Sequence, residues 1–229
     1  MVKGILFDYG GTLDTNGVHW SEVLWQGYQH AGIDVTKEQF REAYVHGERT
    51  LACEPLIQPH HTFLDVLRVK VELYAAVSPS LGGGRGEAAV SYCFNYARRN
   101  IQRYLPILET LSKRFPLVLV SNFYGNLHAV LRDFGIEHLF QQVVESAVVD
   151  VRKPDPRIFQ LGIEALKLSP QDILVVGDSY KNDILPASSL GCQTVWLRGV
   201  EWENKSVDES LPTAIITDIE QLSSLKILS

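Results

Sequence analysis

The 229-residue chain is 45% hydrophobic and carries 21 Lys and Arg against 27 Asp and Glu, a formal charge of -6. That is enough chain to bury a substantial core, as one large domain or a domain with an inserted lobe, while the acidic balance disfavours nucleic acid as a partner. Apolar stretches such as 117–120 and 173–176 are strand-sized, far short of the roughly 20 residues that span a bilayer, and the few apolar positions before Asp8 make too short a core for a secretory signal. The expectation is a cytoplasmic protein with no membrane partner. Cys53, Cys93 and Cys192 form no CxxC pair, so neither a disulfide framework nor a zinc site is indicated.

Residues 2–7 (VKGILF) read as a buried strand ending in Asp8 and the turn formers Gly10 and Gly11. From about Ser21 to Ile101 the periodicity becomes helical: Phe63, Val66, Leu67, Leu73 and Tyr74 share one face, as do Val90, Phe94, Ala97 and Ile101. Thr36 followed by Gln39 resembles a capping box opening one of these helices. The GGGRG patch at 82–86 reads as a flexible loop, because it lacks the GK[ST] ending of a phosphate-binding loop. After Pro106 strands and helices alternate: LVLV at 117–120, a helix bearing Leu127 and Val130, Val143 with Val144, a helix with Asp155 as N-cap and Pro156 as first residue, ILVV at 173–176, a helix near Asn182, and TVWL at 194–197. Ala214 to Thr217 adds a candidate edge strand before a closing helix. This rhythm predicts an α/β fold, a doubly wound, Rossmann-like parallel sheet with an inserted all-α helical cap. The expected division is residues 1–15 plus 105–229 for the α/β core and 16–104 for the cap.

Ligands of an open parallel sheet gather at the carboxyl ends of its strands. Four polar sites follow apolar runs there: Asp8, the pair Ser121 and Asn122, Lys153 in VRKPDPRIF, and Asp178 leading to Asp183 in GDSYKND. Together they supply a nucleophile, a hydroxyl, a cation and metal-binding carboxylates. Singly, each has a plainer reading as a turn residue, a helix cap or a solvated loop lysine.

The order of these segments resembles the haloacid dehalogenase-like hydrolases, most of which are magnesium-dependent phosphatases. FDYGGTL is similar to the first family motif, LVSNF to the second, RKPDPRIF to the third and VVGDSYKND to the fourth. The resemblance implies that Asp8 attacks phosphorus to form an aspartyl phosphate. Ser121 and the Asn122 backbone would bond the phosphoryl oxygens, and Lys153 would neutralise them. Asp8, the carbonyl of Gly10, Asp178 and Asp183, the last directly or indirectly, would hold Mg2+. The implied substrate is a small phosphorylated metabolite.

One departure stands out. Family phosphatases carry a second Asp two residues after the nucleophile to protonate the leaving group, and here that position is Gly10. Losing a positioned general acid costs about 100-fold to 10,000-fold in rate. Three readings compete: a phosphatase drawing its proton from Asp14, His19 or Glu48, or using an undemanding leaving group; a phosphonate or carbon–halogen hydrolase, the former needing a cap lysine such as Lys37 or Lys70; or a catalytically weak, regulatory binder of phosphate and metal. Trp20, Trp25, His46, Arg49, His60 and His61 are further cap candidates, with packing the plainer role for the tryptophans. Trp196 reads as a sheet-packing aromatic.

Overall fold

The computed structural model describes residues 1–200 and 207–228. Residues 201–206 and 229, assigned above to the α/β core, lie outside the described residues. Six parallel strands, β1 (Gly4–Phe7), β2 (Leu117–Ser121), β3 (Gln142–Glu145), β4 (Ile173–Gly177), β5 (Gln193–Leu197) and β6 (Ala214–Ile216), form one sheet in the order β3-β2-β1-β4-β5-β6. Four strands are buried on both faces, which is why their sequences read as continuous apolar runs. Alternate residues still divide between two cores. Ile5, Phe7 and Leu119 join one core, and Leu6, Val118 and Val175 face the other with Ile158 and Ile163.

Helices α1 (Trp20–His30), α2 (Lys37–Cys53), α3 (Phe63–Val77) and α4 (Gly83–Ser112) form the helical insert between β1 and β2. The remaining helices are α5 (Leu127–Asp133), α6 (Ser146–Val149), α7 (Arg157–Leu166) and α8 (Leu185–Ser189). Thr36 and Gln39 do form a capping box, and Thr62 with Asp65 forms a second. Helix α7 starts at Arg157, one residue later than expected, with the Asp155 carboxylate accepting from the Arg157 N–H at 2.9 Å. The closing segment after β6 is built of 3-10 turns rather than an α-helix.

Two local readings are corrected. Gly83–Gly86 is the first turn of α4, not a loop. Gly86 is buried, and a Cβ there would lie 2.8 Å from the Leu81 carbonyl oxygen and 2.8 Å from Val71 Cγ1, so the missing side chain permits close packing. Helix α4 also runs through Pro106, because Tyr104, Leu108 and Leu111 are buried on the turns around it and offset the lost backbone hydrogen bond. Among the described residues no helix is long and apolar enough to cross a membrane.

Candidate active site

Register brings the chemistry together. Phe7 lies opposite Leu119 and Val176, so the chain leaves β1, β2 and β4 at one edge of the sheet, beside the strand whose connections diverge to both sides. Asp8 is 5% exposed and its N–H donates to the Val176 carbonyl at 2.9 Å. Its Oδ1 accepts from Lys153 Nζ at 2.6 Å and from Ser121 Oγ at 3.3 Å. Its Oδ2 accepts from Thr12 Oγ1 at 2.9 Å. Lys153 Nζ also donates to Asp183 Oδ1 at 2.6 Å, and Asp183 Oδ2 accepts from the Ser179 N–H at 3.0 Å. Asn122 fixes the lysine's backbone, accepting from the Lys153 N–H at 2.9 Å and donating to its carbonyl at 3.2 Å. Gly10 and Asp178 line the same cavity as Asp8, Asn122, Lys153 and Asp183. Ser121 reaches the group through its bond to Asp8.

Electrostatics set the demand of this cluster. Carboxylate oxygens of Asp8, Asp178 and Asp183 lie within 4.8 Å of one another. Among the described residues a single ammonium, Lys153, bonds two of them. Burial pushes Asp178 well above the usual carboxylate range, and the charges of Asp8 and Asp183 push it further. Burial likewise raises Asp183 to about 6, against the pull of Lys153. For Lys153 burial acts downward, yet Asp183 and Asp8 outweigh it and hold the amine above the ordinary lysine range. Thr12 Oγ1 lies 2.9 Å from Asp8 Oδ2 and 3.0 Å from Asp178 Oδ1, and its one proton can satisfy only one of them. The site is short of positive charge, and a hard divalent cation on these oxygens would supply it. Gly11 makes the crowding possible: its φ is +97°, and a Cβ would sit 2.6 Å from Asp178 Oδ2.

Two joined cavities lie over the cluster. The outer, about 460 Å³, is lined by Asp8, Asp178 and Asp183; the inner, about 170 Å³, runs beneath the insert. Of the candidate proton donors, His19 lines both. Its Nδ1 accepts from the Ser21 N–H at 3.2 Å, and burial lowers its pKa, so the neutral ring keeps its proton on Nε2. Glu48 lines the inner cavity but is committed as an acceptor, bonded by Lys70, by Tyr124 Oη at 3.0 Å and by Tyr74 Oη at 3.3 Å. Burial favours its neutral form, but Lys70 outweighs that and keeps its pKa below the usual range. Asp14 is sealed beneath the loop, accepting from the Gly11 N–H at 2.7 Å and from Trp20 Nε1 at 2.8 Å.

Other candidates separate. Lys70 lies in the inner cavity wall; Lys37 is outside, paired with Glu22 at 2.5 Å. Trp20 borders the inner cavity, whereas Trp25 packs on Phe40 with ring centroids 5.5 Å apart. His46 and Arg49 line a separate surface groove, and the His61 carbonyl accepts from Asn126 Nδ2 at 2.8 Å, with His60 against the His61 ring. Sequence reading assigned nothing to Thr12 or Tyr124. The Thr12 hydroxyl could have been suspected from its place within the first motif; Tyr124 carried no spacing signal. Trp196 does pack in the sheet, but its Nε1 also donates to the Asp178 carbonyl at 2.8 Å and so fixes the loop bearing that carboxylate.

The family model of haloacid dehalogenase-like hydrolases matches residues 2–191. Phosphoglycolate phosphatase of Haemophilus influenzae is 33% identical over 132 residues, covering 55% of this chain and 58% of that protein. The chain spans little more than half the length of the curated relatives it matches. Among solved structures, HAD-hydrolase YfnB from Bacillus subtilis, bound to magnesium, matches with a TM-score of 0.60 at 18% identity, covering 97% of each chain. The 2-haloacid dehalogenase from Pseudomonas syringae matches with a TM-score of 0.53 at 24% identity, covering 98% of this chain and 97% of that one. At these identities the two structures establish a shared fold.

Proposed function

The chain belongs to the haloacid dehalogenase-like hydrolases, and within that family we propose that it is a magnesium-dependent phosphatase of a small phosphorylated metabolite, working through an aspartyl phosphate on Asp8. The observation that carries this reading is the convergence of Lys153 Nζ on Asp8 Oδ1 and Asp183 Oδ1, each at 2.6 Å, beside a third buried carboxylate. The phosphatase names among its relatives agree with it.

Asp8 and Asp178, with the Gly10 carbonyl, would hold the ion. Asp183 accepts from Lys153 and from the Ser179 N–H, so it would orient Lys153 and meet the ion directly or indirectly. Bound Mg2+ would screen the repulsion between the carboxylate nucleophile and the phosphate dianion. Asp8 Oδ attacks phosphorus while Lys153 and Ser121 hold the oxygens on which charge accumulates. Gly10 leaves the departing oxygen without a proton donor at the usual place, so the natural leaving group is one that departs readily.

The competing chemistries gain less support. A Schiff-base route to phosphonate cleavage needs an uncharged amine, and Lys70 is held protonated: burial opposes its charge, but Glu48 beside it prevails. A dehalogenase has no use for the excess negative charge gathered around Asp178. The test is an assay with magnesium of acetyl phosphate, p-nitrophenyl phosphate and an alkyl phosphate, with Asp8→Asn in parallel. We expect turnover of the first two, lost in Asp8→Asn; turnover indifferent to that substitution, or none on any phosphate, would overturn the proposal.

A further inference from the structure

The inner cavity has the size and lining to name a leaving group. It shares Gly10, His19, Tyr44, Asn122 and Asp178 with the outer cavity, so a phosphoryl group at Asp8 has the inner cavity open to it across Gly10. A Cβ on Gly10 would meet nothing within 4 Å. The position that a family phosphatase fills with its acid side chain is thus free space at the junction. Beyond it the wall is made by Trp20, Phe63, Val66, Leu67 and Phe123. The cavity measures about 170 Å³, close to the engineered apolar cavity of about 150 Å³ that admits benzene. A saturated chain would forgo the edge and face contacts that these rings offer a planar guest.

Charge narrows the choice. Among the described residues Lys70 is the one Lys or Arg on this wall, and it is spent on Glu48, with Tyr124 Oη and Tyr74 Oη adding donors to the same carboxylate. On this wall Lys70 and Glu48 form an ion pair and offset one another. A leaving group bearing a carboxylate finds no uncommitted lysine or arginine among the described residues of this wall, whereas a hydroxyl on a ring could donate to Glu48. The missing acid at position 10 selects in the same direction. A phenolic oxygen leaves with a conjugate-acid pKa of about 10, whereas an aliphatic alkoxide is about as basic as hydroxide, whose parent water has a pKa of about 15.7.

Resting on the phosphatase reading above, the geometry points to phosphate monoesters of single-ring phenols as the substrate class of this site. The bond from Asp8 Oδ to phosphorus forms as the phosphorus–aryloxygen bond breaks, and the bonding pair leaves on the phenolate. Water then attacks phosphorus, returning the Asp8 carboxylate. The water's two protons end on the released phosphate and, by exchange with solvent, on the phenol.

The test uses acetyl phosphate as reporter, since its small, good leaving group reaches only the mouth of the inner cavity, at Gly10, where a phenol oxygen would also lie, and needs none of the ring contacts beyond. Phenol, glycolate and 1-propanol are compared as inhibitors of its hydrolysis. Phenol should inhibit competitively, with an inhibition constant about tenfold or more below those of the other two. In Leu67→Phe, which fills the cavity, kcat/KM for phenyl phosphate relative to acetyl phosphate should fall by about tenfold. Asp8-dependent hydrolysis of acetyl phosphate with phenol no better than glycolate, or phosphoglycolate preferred over phenyl phosphate, would overturn the aryl assignment and leave the phosphatase standing. No hydrolysis of any of these phosphates overturns the phosphatase reading and this one with it. The inhibition arm needs no variant, so a misfolded Leu67→Phe does not shield the proposal.

Discussion

Position 10 is where a single residue bears most on activity. Because a Cβ there meets nothing within 4 Å, Gly10→Asp should fold and restore a carboxyl beside the departing oxygen. The expected result is a gain in kcat/KM for an alkyl phosphate of about 100-fold or more, with little gain for acetyl phosphate; equal gains on both would show that protonation does not limit the native protein. Asp14 carries a second residue-level prediction. Burial, the largest influence, raises its pKa from the ordinary 3.8 to about 7. The folded protein therefore keeps a proton that the unfolded chain gives up between about pH 4 and 7, so this group makes stability fall as pH rises through that window. Asp14→Asn should remove that slope, gaining on the order of 4 kcal/mol relative to the native chain across the window. Urea unfolding at pH 4.5 and pH 7.5 measures it, and parallel pH profiles for the two proteins would contradict it. The strand-end positions of Asp8 and Asp178 were legible because each follows a recognisable apolar run, whereas Lys153, in the loop after α6, was legible from its RKPDPRIF setting. Thr12 and Tyr124 were not, since their importance comes only from side chains that folding brings near them: Asp8 and Asp178 for the one, Glu48 for the other.

Among the elements, the sequence served the sheet better than the insert. Strands β2, β4 and β5 announce themselves as short β-branched and leucine runs, since burial on both faces leaves no polar alternation to confuse them. The first turn of α4 could not be read that way. Four residues containing three glycines favour a loop locally, and the helix is held by packing against Leu81 and Val71, which is tertiary information. Gly86→Leu tests this. Its gain in helix propensity is about 1 kcal/mol, but the contacts at 2.8 Å must open, and overpacking of this kind costs about 1–3 kcal/mol or more. We expect net destabilisation, seen as a lower urea midpoint with unchanged slope; a neutral or stabilising outcome would mean that the close approach is not required. The cavity-facing cluster of Glu48 with Lys70 depends on α2 lying against α3, a pairing that no spacing within either helix could reveal.

Across the whole molecule, the alternation of strands and helices foretold a parallel sheet, but its order did not follow from the alternation. Placing β1 between β2 and β4 is what joins residues more than 100 positions apart at one edge, as in Ser121 with Asp8 and Thr12 with Asp178. A cation at that edge should stabilise the entire fold by mass action, by about 2.7 kcal/mol at a concentration one hundred times its dissociation constant. For a chain of this size that corresponds to a rise in Tm of roughly 5–10 °C, and the rise should shrink or vanish in Asp178→Asn. Equal rises in both proteins would place the cation elsewhere. The claim on which the rest depends is that Asp8 takes the phosphoryl group. It is tested by mixing the protein with magnesium and acetyl phosphate, quenching in acid within the first turnover and locating the modification by mass spectrometry. One phosphoryl group is expected, on Asp8, formed and discharged at rates that match phosphate release; phosphate release with Asp8 unmodified throughout would contradict the claim.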